Sequence, residues 1–393
     1  MITVSPFLYR KNGEASGHDA ETISRALAQA DPPERNGVPS ILTLNHLAHR
    51  TGIKYKYLRD IAKRATDPYH QFTIKKRSHG RRLISTPEPL LLALQRWIAG
   101  EILNKQDCHP SSFAYAPGSS PAKCAAKHLG ARWLIKLDVH DFFENIDERS
   151  VYRVFREIGY QPLPSLELAR LCTRNFASEA IQDNRWRIGP EERAKYDIKP
   201  YRSWRLGYLP QGAPTSPMLA NLASRGMDVA LDALARRYGL LYTRYSDDMS
   251  FSTGGSFDRQ SVGRLITEVE RLLISFGHTL HRKKTKVSPP RARKVVLGLQ
   301  VDGNELRLLR GYRKRMENHV RCIDKYGLQK HRTERNFTST WGMIRHVDGL
   351  LSYAEAIEGK KAHAGTRARF VKALQRQGWP ARPAKAASIF PPI

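Results

Sequence analysis

Two apolar, strand-like segments of this chain each carry carboxylates at their ends, a costly arrangement that few folds require. The first, Trp133-Leu-Ile-Lys-Leu-Asp-Val139, is short, β-rich and mostly apolar, as buried strands are, and it runs on into His140-Asp141-Phe142-Phe143. The second spans Leu240 to Ser252 and alternates as two short strands meeting at Ser246-Asp247-Asp248. In a straight strand successive side chains point to opposite faces, so Asp247 and Asp248 approach one ion only if a tight turn falls at the pair. Taken singly, each feature has an ordinary reading. An Asp at a strand end, such as Asp138, is most often a helix N-cap, and Ser-Asp-Asp makes hairpin turns routinely. Taken together, they can supply hard oxygen ligands on rigid elements, which is what phosphoryl transfer by two Mg²⁺ ions about 3.5–4 Å apart requires.

Between the two acidic segments lies Gly207-Tyr-Leu-Pro-Gln-Gly-Ala-Pro-Thr-Ser-Pro-Met-Leu-Ala-Asn221. Its two glycines and three prolines allow close approach of backbone to a nucleotide or base pair. Ser216-Pro217 then supplies an N-cap and an N1 proline for one long helix running to about Tyr238.

The flanking regions read more simply. Residues 1 to about 40, with Gly17, Pro32, Pro33, Gly37 and Pro39, form a loosely structured extension with one short helix near Ala20 to Ala30. Leu44, Leu47 and Ala48, then Tyr57, Leu58 and Ile61, suit two short amphipathic helices. Tyr69 to Pro87 reads as a β-hairpin with a basic turn at Ser78 to Gly80, and Glu88 to Leu103 as a helix with Leu91, Leu94, Gln95 and Ile98 on one face. The polar, Arg- and Trp-rich stretch Asn184 to Arg205 reads as an insertion or surface hairpin. From Arg307 the chain becomes basic and helical, with further helical stretches around Met343 to Ile357 and a Pro/Ala/Lys tail after Trp379.

Lys and Arg number 66 against 37 Asp and Glu, a net charge of +29 spread along the chain. That indicates a polyanionic partner without saying which. Cys108, Cys124, Cys172 and Cys322 lie far apart, with no zinc or disulfide spacing, so free thiols in a reducing compartment are expected. No apolar run approaches the ~18 residues of a bilayer span, and the N-terminus lacks a signal sequence, so the expected location is cytoplasmic, with no membrane partner.

The order of these parts is specific. An acid-ending strand followed by Phe142-Phe143, then Leu209-Pro-Gln-Gly-Ala-Pro-Thr-Ser-Pro217, then Tyr245-Ser-Asp-Asp248, strongly resembles the palm motifs of reverse transcriptases of the bacterial retron and group II intron kind. Gly277-His-Thr-Leu-His281-Arg-Lys-Lys284 resembles the next palm motif, with His281 where Asn is usual, and Val295-Val-Leu-Gly298-Leu resembles the strand that grips the primer end. Arg82-Leu-Ile84-Ser-Thr-Pro87 with Gln95, and Phe113-Ala-Tyr115-Ala-Pro-Gly118-Ser119, are similar to the two fingers motifs, so the resemblance covers about Leu42 to Tyr353. Tyr69, Phe72 and Ile74 look retron-like. Cys124-Ala-Ala-Lys-His128 resembles the retron Asn-Ala-x-x-His motif with Cys for Asn, and Val296-Leu-Gly298 stands where retrons show Val-Thr-Gly. Both departures also suit a related phage-defence reverse transcriptase.

The resemblance implies an α+β right-hand polymerase. It assigns an N-terminal, partly helical extension to residues 1–68, fingers to 69–130, a palm to 131–300 with a fingers insertion at about 150–205, and a helical thumb and tail to 301–393. It implies that Asp138 and Asp247 bridge two Mg²⁺ ions (Mn²⁺ being the alternative), that Asp248 supports them, and that the Val139 carbonyl completes a shell. Arg81 and Arg82 become candidates for the incoming triphosphate, since a guanidinium fork matches phosphate oxygens, unless they are a solvated hairpin tip. Phe143, five residues beyond Asp138, takes the place of the aromatic that blocks a 2′-hydroxyl, while Phe142 is core. Gln211 and Gly212 line the nascent base pair, and Lys284 approaches the leaving phosphates as a charge or proton donor. Val296 and Gly298 contact the primer, and His128 is structural or an RNA contact. The Arg310 to Arg315 cluster, with Arg310 and Arg313, could be an ordinary solvated helix face, but the net charge of +29 favours contact with the duplex backbone. Tyr312, Trp341 and Tyr353 either stack on bases or pack within the thumb. The implied partners are a structured non-coding RNA template, dNTPs, the DNA product with its RNA–DNA hybrid, and an effector protein in anti-phage defence. A group II intron-type enzyme and an idle RNA-binding scaffold of polymerase fold are the alternatives.

Overall fold

The structure, a computed structural model, describes residues 6–75, 81–175, 188–191 and 198–379. The expected basic turn at Ser78 to Gly80, much of the 184–205 stretch and the tail after Trp379 fall outside the described residues. Two compact units are present: Met1–Ser120 with Ile135–Phe251 and Asp258–Lys286, and Pro121–Leu134 with Ser252–Phe257 and Val287–Ile393.

The first unit opens with two helices, Pro6–Ala15 and Ala20–Arg35, where the sequence suggested one short helix. Asp19 caps the second, its side chain accepting from the Thr22 N–H at 2.7 Å. That helix continues through Pro32 and Pro33 although each proline removes an intrahelical donor. Burial of Ile23, Ala30 and Pro33 offsets that loss, so packing overrides the local preference. Helices Leu44–Thr51 and Tyr55–Ala62 follow as the spacing predicts. Strands β1 (Tyr69–Lys75) and β2 (Arg81–Pro87) then pair antiparallel, Tyr69 opposite Pro87 and Lys75 opposite Arg81. The helix Pro89–Glu101 starts on its proline and buries Leu91, Leu94, Gln95 and Ile98.

The sheet that positions the acids contains β3 (Trp133–His140), β4 (Leu241–Tyr245), β5 (Asp248–Thr253) and β6 (Thr279–Leu280), in the order β4-β5-β3-β6. β3 therefore lies next to β5 on one side and pairs antiparallel with β6 on the other, Val139 opposite Leu280. The expected long helix after Ser216-Pro217 is broken into Ser216–Ala223 and Arg225–Arg237, with Ser224 between them. Ser and Gly close together are a recurrent cause of such breaks, and Gly226 lies against Phe276, whose Cε1 would be 3.4 Å from an added Cβ.

The second unit holds helices Arg310–Tyr326, Leu328–Glu334, Thr340–Glu358 and Lys360–Gln375 and a three-stranded sheet formed by Val295–Val296, Leu299–Gln300 and Arg307–Leu308. Its core includes Val296, Leu299, Val320, Ile323, Leu351 and Phe370, joined by Ala125 from the segment preceding β3 and by Leu134 from the start of β3. No disulfide joins any of the four cysteines, and no described helix is long and apolar enough to cross a membrane.

Candidate active site

Backbone bonds fix the acids before their side chains act. The His281 N–H donates to the Asp138 carbonyl at 2.7 Å, and the Val139 N–H donates to the Asp247 carbonyl at 3.0 Å. β4 ends at Tyr245 and β5 begins at Asp248, so the acid pair falls at a turn of two residues, Ser246 and Asp247. Ser246 adopts φ +60°, the left-handed backbone such a tight reversal demands. The turn that the sequence required is therefore present, and it sits beside the strand carrying Asp138.

The charges of these carboxylates act on one another. Asp138 is 7% exposed. Burial pushes its carboxyl above the ordinary range, the hydrogen bond from Lys284 opposes this, and the charge of Asp247 pushes it up again. The Asp248 carboxyl is likewise raised, first by burial and then by Asp247 and Asp138, with Lys136 and Lys284 acting against them. Lys284 Nζ donates to both Asp138 oxygens at 2.9 Å.

Among the described residues, no three carboxylate, imidazole or thiol groups converge as a ready-made cage for an ion. The donor chemistry nevertheless fits a divalent metal: three hard-oxygen acids whose mutual repulsion a divalent cation would relieve, one of them now neutralised by an ammonium.

Other expected site residues lie around this centre. Phe142 is buried between the Arg244 guanidinium, 5.4 Å from its ring centre, and the His278 ring at 5.5 Å. Phe143 is only partly buried, with its ring 6.2 Å from that of Tyr115. Arg81 and Arg82 are exposed at the start of β2, and the charge of Arg82 reaches the Tyr115 phenol. The Gln211 carbonyl accepts the Ser85 N–H at 2.7 Å, clamping the loop onto β2. Gly212 has φ +111°, and a Cβ there would lie 2.8 Å from Ile84 Cγ2, so both backbone and space require glycine.

The remaining expected contacts lie in the second unit. His128 is 1% exposed with Nδ1 2.6 Å from Ser252 Oγ, and burial pulls its imidazole down to about 4. A neutral, enclosed imidazole fits the structural reading of this residue. Val296 is buried, and Leu297 and Gly298, at φ +49° and +81°, form a two-residue hairpin turn of the I′ kind. Arg310 is exposed at its helix start, whereas Arg313 Nη2 lies 2.5 Å from Glu358 Oε1. Tyr312 packs 5.5 Å from Tyr353 and donates to the Leu350 carbonyl, and Trp341 stacks on Trp379.

Sequence reasoning missed a buried ion pair behind the turn. Arg244 donates Nε and Nη2 to the two Asp228 oxygens at 2.7 and 2.6 Å, both residues being 0% exposed. Its Nη1 donates to the Ser246 carbonyl at 3.2 Å and to Asn221 Oδ1 at 3.1 Å, and its Nη2 also donates to Ser112 Oγ at 3.1 Å. The available signal was an arginine inside an apolar strand and an aspartate on the apolar face of a helix.

This arrangement of acids, lysine and glycine loop on an antiparallel sheet is that of a template-directed polymerase of right-hand fold. The family profile described as reverse transcriptase (RNA-dependent DNA polymerase) matches residues 74–301, and the chain belongs to that family. It is of the retron type: it is 28% identical to the retron Ec86 reverse transcriptase of Escherichia coli, over 82% of this chain and 87% of that one. Two Myxococcus xanthus relatives are also similar. The retron Mx162 reverse transcriptase is 32% identical over 68% of this chain but only 55% of its own length, and the retron Mx65 reverse transcriptase is 29% identical over 88% and 77%. Among solved structures, telomerase from Candida albicans in complex with a fragment of telomeric RNA covers 79% of this chain and 63% of its own, at 10% identity and a TM-score of 0.41, a likeness too remote to add to the assignment. The protein is an RNA-directed DNA polymerase, and enzymes of this family use divalent metal ions and an RNA template.

Proposed function

We propose that this enzyme extends a primer with dNTPs on a structured non-coding RNA, in a retron or retron-like system of anti-phage defence with an effector protein as partner. The observation that carries the chemistry is that the Val139 N–H donates to the Asp247 carbonyl at 3.0 Å, which seats the Ser246-Asp247 turn, with Asp248 at the start of β5, beside the end of β3 that carries Asp138. Two Mg²⁺ ions, or Mn²⁺ in their place, would be held by Asp138 and Asp247 with support from Asp248 and the Val139 carbonyl, and would neutralise charge at the reacting phosphate.

The chain's own residues then orient the reactants. The primer 3′-hydroxyl gives its proton to solvent, its oxygen forms a bond to the α-phosphorus, the bond from that phosphorus to the oxygen bridging to the β-phosphate breaks, and pyrophosphate leaves. Arg81 and Arg82 grip the triphosphate, and Lys284 exchanges its bond with Asp138 for one with the departing phosphates, as a charge or proton donor. Gln211 and Gly212, seated on β2, face the nascent base pair. Phe143 blocks a 2′-hydroxyl and so selects dNTPs. Fingers at 69–130, palm at 131–300 and thumb at 301–393 complete the reading, with Val296, Gly298 and Arg310 meeting primer and template.

A primer-extension assay on an RNA template, with dNTPs compared with NTPs, tests this. Mg²⁺-dependent DNA product that disappears in Asp247→Ala is expected; undiminished product from that variant refutes it. Sequencing the nucleic acid that copurifies identifies template and start point.

A further inference from the structure

Tyr115 is a residue the mechanism above leaves idle, yet its setting is unusual. It is 44% exposed, although tyrosine in a loop can bury its ring cheaply. Its backbone has φ +62°, and the Ala116 N–H donates to the Ala114 carbonyl at 2.7 Å across it, so Tyr115 is the central residue of a γ-turn in its strained, positive-φ form. Such strain persists only where the surroundings impose it, and it concentrates at sites of function.

Three contacts impose it here. The Ala114 carbonyl also accepts from the buried Asn221 side chain, which anchors the turn from behind. The Tyr115 hydroxyl donates to Ser246 Oγ at 3.0 Å, tying the ring to the turn that carries Asp247. The ring itself lies 6.2 Å from that of Phe143 at 54°. The charges of Asp247 and Arg82 both act on the phenol through space.

We infer that Tyr115 is a specificity-determining residue: its ring walls the sugar side of the incoming-nucleotide site beside Phe143 and sets the clearance at the 2′ position. The inference rests on the reading of Phe143 as the group that meets that position. Ser246 serves as the peg, since a ring free to swing would let Phe143 follow it and open the pocket to a ribose.

The test measures single-nucleotide incorporation by the full chain, taking the ratio of kcat/KM for a dNTP to that for the NTP of the same base. A merely structural defect lowers both terms and leaves the ratio unchanged. Tyr115→Ala is expected to lower the ratio by about tenfold or more, the scale on which a pocket discriminates one small group. Tyr115→Phe, which keeps the ring and its packing, is expected to lower it by less, with KM for the dNTP rising more than kcat falls. Unchanged ratios in both variants, while Phe143→Ala collapses the ratio, overturn the role of Tyr115 and leave the parent reading standing. An unchanged ratio in Phe143→Ala overturns the parent reading instead.

Discussion

Removing Asp228 should damage both the stability of this enzyme and its catalytic turn, by separable amounts. In Asp228→Ala the Arg244 guanidinium stays fully buried but loses its only charged partner among its hydrogen-bond acceptors, keeping neutral ones from Asn221, Ser112 and Ser246. Burial pulls that guanidinium's pKa down and Asp228 more than offsets it, so the pair is what makes the buried charge tolerable. Breaking a buried pair by deleting one partner costs about 3–5 kcal/mol, against a total stability of about 5–15 kcal/mol for a typical domain. The Tyr242 hydroxyl, which donates to Asp228 at 2.8 Å, is orphaned by the same change. Urea unfolding followed by circular dichroism should show the midpoint falling by that equivalent at constant slope. The double variant Asp228→Leu with Arg244→Met should regain most of the stability, because apolar replacement of a whole buried pair is often neutral. It should not regain kcat in primer extension, because the Arg244 hydrogen bond to the carbonyl of Ser246, a residue at positive φ, is still missing. A loss below about 1 kcal/mol in Asp228→Ala, or full kcat in the double variant, would refute the reasoning.

Three further outcomes follow from other parts of the site. Asp248→Asn should raise the melting temperature of metal-free protein by a few degrees while lowering activity, since it removes a partly buried carboxylate repelled by Asp247 and Asp138. Burial pushes the Glu148 carboxyl up, but Arg64 and Arg170 outweigh it and hold it at about 2, below its ordinary 4.5. The folded state therefore binds fewer protons there than the unfolded chain, and this contribution, complete above about pH 4.5, fades as pH falls toward about 2. Melting curves of wild type and Glu148→Gln should accordingly differ most near neutrality and converge in acid. Gly212→Ala should cost about 1–2 kcal/mol in denaturant titration for its left-handed backbone alone, and should raise KM for the dNTP as the Cβ presses on Ile84.

The parts of this fold legible in the sequence are those where local chemistry and tertiary need agree. The apolar run of β3, the helix Pro89–Glu101 with its apolar face and the turn at Ser246-Asp247 all fall close to where spacing and turn chemistry put them. Where the two conflict, the sequence misleads. Pro32 and Pro33 read as breakers, yet helix burial carries the chain through them. Ser224 and Gly226 sit in an apolar helical pattern that continues on both sides, so the break between Ala223 and Arg225 leaves no trace in the periodicity. Arg244 and Asp228 were invisible as a pair because neither reveals its partner until β4 and its neighbouring helix are packed. The strained turn at Tyr115 depends on Asn221 and Ser246, 106 and 131 residues onward in the chain by difference of their numbers.

The main-chain bonds of the acid-bearing residues have a practical use. Because His281 holds Asp138 and Val139 holds Asp247 through amide and carbonyl alone, exchanging the carboxylates for carboxamides alters charge without touching the frame that spaces them. A variant carrying Asp138→Asn, Asp247→Asn and Asp248→Asn is thus a decoy enzyme: it should still seat the native nucleic acid yet never copy it. Recovered from cells with its cargo uncopied, such a decoy would deliver the physiological template intact.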